Sequence, residues 1–134
     1  MKKPQSWYTA STHALTGGII TPLVIRFIIF AIIGSVITIS SFATQVVTVL
    51  IANALALWAG VYLSNKYIAK KYNIDSPDKI INLSTLFTLI IQVLISLKSL
   101  RVMEGSDFVY GIIAVSSFVI FFYIFSKLYV KRNI

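Results

Sequence analysis

Four long apolar runs, set apart by short polar segments, decide most of what this chain can become. A helix crosses the roughly 30 Å hydrocarbon layer of a bilayer with about twenty such residues. The runs cover 22–41, 45–64, 77–100 and 108–128, and each is long enough to span. They predict an all-α membrane protein with four transmembrane helices paired as two antiparallel hairpins. Residues 1–21 are then an N-terminal cytoplasmic or interfacial segment, and 22–134 the transmembrane domain. Composition agrees: 12% of the 134 residues are charged and 57% hydrophobic. A soluble domain carries about 25% charged residues to wet its surface.

Local signals place the helix ends. Thr21 is an N-cap and Pro22 fits the first helical position, where a missing N–H costs nothing. Ser76 caps the third helix, with Pro77 at its first position and Asp78 favoured by the helix dipole. Gly105-Ser106-Asp107 precedes the fourth, and Phe42-Ala43-Thr44 forms the turn between the first two. The segment ahead of Pro22 is longer than the n-region of a signal peptide, so the first run is read as a retained helix. A short interfacial helix in that segment is expected to break at Gly17-Gly18.

Orientation follows from the cations. With the N-terminus inside, Lys2, Lys3, Lys66, Lys70, Lys71, Lys79, Lys127, Lys131 and Arg132 lie on the cytoplasmic side, and only Lys98 and Arg101 outside. Cytoplasmic flanks carry such an excess, and Tyr62, Tyr67, Tyr72, Tyr123 and Tyr129 gather on the same side as an aromatic belt would. The expected location is the bacterial inner membrane, with both termini cytoplasmic. The second and fourth helices also end alike: YLSNKYIAKKYN (62–73) aligns with YIFSKLYVKRNI (123–134). Such a match is either the trace of a repeated hairpin or the common ending of helices that descend into cytoplasm.

Several chemistries are excluded on residue types. The net charge of +8 sits in helix flanks rather than in a basic groove interleaved with aromatics, so no nucleic acid partner is expected. Cysteine is absent, and neither a metal nor a cofactor is expected. All four acidic residues, Asp75, Asp78, Glu104 and Asp107, fall in loops or helix starts, and the one histidine, His13, falls beside Thr12 and Thr16 in the polar N-terminal segment. It reads as an interfacial residue. A proton- or cation-coupled carrier needs a carboxylate or histidine within the membrane, and by this placement the chain has neither. No filter-like run of glycines and carbonyls is present. No nucleophile–base pair, carboxylate pair or ligand set converges, so no enzyme is expected.

Three features carry physical meaning. Ala52, Ala56 and Gly60 recur every four residues, which lets another helix approach closely, from this chain or from a second subunit. Thr85, Thr88, Gln92, Ser96 and Ser99 form a polar stripe at helical spacing. It either bonds Asn53, Gln45, Ser35, Thr38 or Ser41 on other helices, or lines a hydrated conduit or head-group slot. Arg26 lies one turn into the first run; it snorkels to head groups, or it joins Lys66 and Lys127 to hold a phosphate at the inner leaflet.

Arg26-Phe27, Ala52-Asn53, SNKYIAKK (64–71) and FSKLYVKR (125–132) resemble the GtrA family over about residues 24–134. The resemblance implies a four-helix protein that moves polyprenyl-phosphate-linked sugars, with Arg26, Asn53, Lys66 and Lys127 as a lipid-phosphate site. The glycine and Asn-Thr expected after the opening Arg-Phe are missing, and Ala52-Asn53 stands closer to Asn65-Lys66 than in that family. The expected function is translocation or flipping of a lipid-linked substrate, with anionic head groups and a second copy of the chain as partners. The alternatives are a non-catalytic subunit of a larger membrane complex and an oligomeric, holin-type pore.

Overall fold

The computed structural model describes residues 6–36, 41–69, 77–102 and 105–132. Every element among them is helical. Four helical stretches, Tyr8–Val36, Phe42–Tyr67, Asp78–Ser99 and Asp107–Tyr129, are long and apolar enough to cross a membrane. The chain is thus all-α, with the four spans of an integral membrane protein.

The first span differs from expectation. Helix α1 (Ser6–Leu15) runs through a π-helical turn (Thr16–Ile20) into α2 (Thr21–Val36) without a break. Leu15 and Thr21 both keep right-handed helical dihedrals, and the Thr21 N–H bonds the Thr16 carbonyl, five residues back. That wider register explains why Pro22 does not start a new helix. A proline inside a helix removes one hydrogen bond and crowds the preceding turn, and a π turn absorbs both effects. Gly17 and Gly18 are buried rather than at a break, and residues 6–21 are continuous with the first rod.

The other helices start and end close to where the apolar runs do. Helix α3 (Phe42–Ser64) is capped by Ser41, whose hydroxyl accepts the Thr44 N–H at 3.1 Å. Phe42-Ala43-Thr44 is therefore its first turn rather than a connection. It passes into a second π-helical turn, Asn65–Ala69. Helices α4 (Pro77–Val102) and α5 (Ser106–Arg132) complete the bundle, joined through Gly105 at φ 60°, a backbone state glycine tolerates best. Ser76, the expected cap of α4, lies outside the described residues, as do Lys2, Lys3, Lys70, Lys71, Tyr72 and Asp75.

Helix α3 is the centre of the bundle. Its buried residues come in pairs every four positions: Thr48-Val49, Ala52-Asn53, Ala56-Leu57, Gly60-Val61, then Ser64. One row meets the first rod, where Gly60 touches the Gly17 carbonyl and the Pro22 ring. The adjacent row meets α5, where Leu57 and Val61 pack with Phe118 and Phe122 into the main apolar cluster. So the close-packing face at Gly60 is occupied within the chain. Helix α1 packs on α4, whereas α2 leans on α3 and stands off from α4 and α5.

Candidate functional site

Because α2 diverges from α4, a cleft of about 220 Å³ opens between them with α5 behind it. Arg26, Gln92, Ser96, Ser99 and Tyr110 supply its polar lining, with Ile95, Gly111, Ala114 and Val115 between them. Arg26 is half-buried; its guanidinium carbon lies 5.5 Å from the Phe118 ring centroid and 5.7 Å from that of Phe30. Phe118 is eleven residues from each end of the Asp107–Tyr129 span, so Arg26 lies beside the middle of that span. The reason is the early start of the first rod, which carries position 26 far beyond its first turn. Two aromatic faces attract a cation but cannot accept the five hydrogen bonds a guanidinium donates. Its Nε has no partner, and among the described residues no carboxylate pairs with it.

The polar stripe of α4 divides into two parts. Thr88 is fully buried against Gly18 of the first rod, as is Ser84, which is not a member of the stripe. Ser84 donates to the Ile81 carbonyl of its own helix at 3.0 Å. Gln92, Ser96 and Ser99 instead line the cleft with Arg26. Thr85 contributes to neither group, and its Oγ1 is enclosed without a partner, as is that of Thr88. Of the partners considered for the stripe, Ser35 donates to the Ile32 carbonyl and Ser41 serves its own cap, while Thr38 lies outside the described residues.

The four residues of the expected phosphate site are not assembled in one place. Asn53 is enclosed in the core, where its Nδ2 donates to the Ala114 carbonyl at 3.0 Å and to the Ser117 hydroxyl at 2.8 Å. Lys66 and Lys127 lie past the ends of the buried rows, each ammonium over a neighbouring tyrosine: Lys66 at 5.4 Å from Tyr67, Lys127 at 5.2 Å from Tyr123. They follow Ser64 and Ser126, the level at which the first rod presents His13. Arg26 is thirteen residues further along that rod, an axial rise of about 20 Å. The interhelical bonds of Asn53 make Asn53→Leu a stability variant: we expect a loss of about 1 kcal/mol, read from detergent-based unfolding.

His13 is the residue least visible in the sequence. Far from being interfacial, it is fully enclosed, inside the Tyr8–Val36 span. Its Nδ1 pairs with the Ser64 hydroxyl of α3 at 2.6 Å and its Nε2 with the Ser126 hydroxyl of α5 at 3.0 Å. The ring also lies 5.3 Å from that of Phe122. One side chain thereby ties three of the four spans together. The expectation that no histidine lies within the spans is overturned by this placement. Its serines are not equivalent in the 62–73/123–134 alignment, which pairs Ser126 with Asn65 rather than Ser64.

No protein-family model matches the chain, and no curated protein or solved structure matches it.

Proposed function

We propose that this chain is an integral membrane protein that takes the phosphate head group of a lipid into the Arg26 cleft and passes it across the bilayer midplane. The observation carrying this reading is a guanidinium at mid-depth, without a carboxylate partner among the described residues, facing an amide and three hydroxyls. A charge left unpaired at that depth is costly, and an entering anion removes the cost. The planar fork of arginine fits phosphate oxygens two at a time, and Gln92, Ser96, Ser99 and Tyr110 can bond the others. At about 220 Å³, the cleft is smaller than the about 300–1,000 Å³ of sites for drug-sized ligands. It suits one phosphoryl group, with the chains left in the bilayer against the exposed Phe27, Leu94 and Ile95. The resemblance to the GtrA family points to the same substrate class, a polyprenyl phosphate.

In this reading the termini and the 65–79 connection face the cytoplasm of a bacterial inner membrane, and the helices pair as two antiparallel hairpins. Lys66 and Lys127 then form a basic collar that draws anionic head groups to the inner surface. Lys98 and Arg101, flanking Ser99 at the end of the cleft on α4, receive them at the other. Binding of a polyprenyl phosphate to the protein in nanodiscs, followed by native mass spectrometry, tests the assignment. Arg26→Gln is expected to weaken it about ten- to a hundred-fold, the equivalent of one or two charge-assisted hydrogen bonds. Arg26→Lys recovers part of the loss, and the uncharged polyprenol binds no better to the native chain than to the Gln variant. Equal affinity of Arg26→Gln and the native chain for the phosphate would overturn the reading.

A further inference from the structure

His13 is the one titratable side chain that is completely enclosed among the described residues. A neutral imidazole donates from one nitrogen and accepts at the other. One of Ser64 and Ser126 therefore accepts from the ring while the other donates to it, and both contacts are satisfied. A protonated ring donates from both nitrogens. The serine that had donated must then turn its own proton away, and a full charge stands in the core.

Among the described residues, no carboxylate is seen to face the ring and compensate that charge. Helix α3 presents Ser64, and α5 presents Ser126 and the Phe122 ring. Helix α4, packed on α1, buries Ile80, Ile81, Ser84 and Thr88, while its Asp78 and Lys79 are exposed. Lys66 and Lys127, the nearest cations along α3 and α5, turn over Tyr67 and Tyr123. On α1 itself, Tyr8 is 48% exposed. An unpaired buried charge is far more costly than a buried neutral ring, so the closed arrangement holds only while His13 is neutral.

Where that arrangement sits gives it a consequence. His13 and Arg26 share one continuous rod, with the π-helical turn and Pro22 between them. Gly17 against Gly60 and Gly18 against Thr88 and Phe122 fill the bundle between the cleft and the Ser64–Ser126 end. A π turn holds a residue of extra register, a place where a helix can shift.

We infer that His13 is a proton-binding gate: the neutral ring keeps the Ser64–Ser126 end of the bundle closed, and protonation opens a way from that end to the Arg26 cleft. This rests on the lipid-phosphate reading only for what passes through. It supplies a coupling ion to a chain whose described carboxylates, Asp78 and Asp107, stand only at the first residues of their spans.

The single histidine and the absence of cysteine give two clean probes. In the full chain labelled with ¹⁵N-histidine and held in nanodiscs, ring shifts report His13 alone as pH falls from about 8 to about 4, a range that brackets ordinary imidazole titration. In vesicles, Ser96→Cys reports access to the cleft through its reaction with a membrane-impermeant thiosulfonate added on the Ser64–Ser126 side. That rate is normalised to the rate from the opposite side at the same pH. We expect it to rise about tenfold or more as the ring protonates, and His13→Gln to abolish the rise. A ring that never protonates over this range, protonation without a change in access, or a pH response surviving in His13→Gln would each overturn the gate. Since labelling needs no lipid ligand, failure of the lipid-phosphate reading is seen separately, in the polyprenyl phosphate binding measurement.

Discussion

Gly60→Val is expected to be the most disruptive single substitution in the bundle. A Cβ at this position would stand 2.6 Å from the Gly17 carbonyl oxygen and 2.9 Å from Cγ of Pro22. Neither neighbour is the far end of a flexible side chain, so the two rods themselves must separate. Inserting carbon atoms into a well-packed core costs about 1–3 kcal/mol where side chains can adjust; here the upper end or beyond is expected. A shifted unfolding midpoint in a denaturing-detergent titration, read by near-ultraviolet circular dichroism, would show it. Gly60→Ala should be milder, because it adds the Cβ without the two branching methyl groups. Gly34→Ala is the control: a Cβ there, on α2, would meet nothing within 4 Å, and the change should stay within about 0.5 kcal/mol. A valine at 60 as harmless as an alanine at 34 would mean that the two helices do not cross at Gly60.

The second large effect is at His13. His13→Ala removes a fully buried ring, leaves a cavity beside Phe122, and takes the partner from two enclosed serines at once. Large-to-small changes in cores cost about 2–5 kcal/mol, and unpaired hydroxyls add to that. We expect a loss of about 3 kcal/mol or more in the same titration. Ser64→Ala and Ser126→Ala should each cost about 0.5–1.5 kcal/mol, and combining either with His13→Ala should cost less than the sum, since the shared bond is already gone. Thr12→Ala, one position away, removes only a local bond to the Tyr8 carbonyl at 2.9 Å and should be nearly neutral. If Thr12→Ala and His13→Ala were equally mild, the ring would not be holding the helices.

Three of the four spans are legible in the sequence because apolar residues dominate them in spite of their polar rows. The expected 45–64, 77–100 and 108–128 lie within α3, α4 and α5. The first begins well before its apolar run does. Thr9, Ser11, Thr12, His13, Thr16, Gly17 and Gly18 lower the hydropathy there, and Thr-Pro looks like a helix start. A different signal is present: Thr9-Ala10, His13-Ala14 and Gly17-Gly18 are buried pairs spaced by four. That is the spacing of the small and polar pairs on α3, and it marks a helix surface built for another helix rather than for lipid.

The candidate site shows the same division. Spacing alone places Gln92, Ser96 and Ser99 on one face of a helix, and the charge of Arg26 marks it out as unusual in an apolar run. Which part of the stripe packs and which part lines a cleft depends on the first rod touching Thr88 and then, as α2, leaning away toward α3. Depth behaves likewise. Moving the start of one helix by about four turns carries Arg26 from the expected surface to the middle of the bundle and His13 into its interior.

By itself, then, the sequence determined that this chain is helical and apolar enough to cross a membrane four times, because hydropathy is a property each residue carries wherever it lies. It also determined the spacing of the small and polar rows, since that follows from helix geometry. Only the tertiary structure decided that Arg26 has no carboxylate beside it among the described residues, and that His13 ties Ser64 to Ser126. Those facts depend on which helices meet and at what depth, and the residues that meet are 51 and 113 positions apart in the chain.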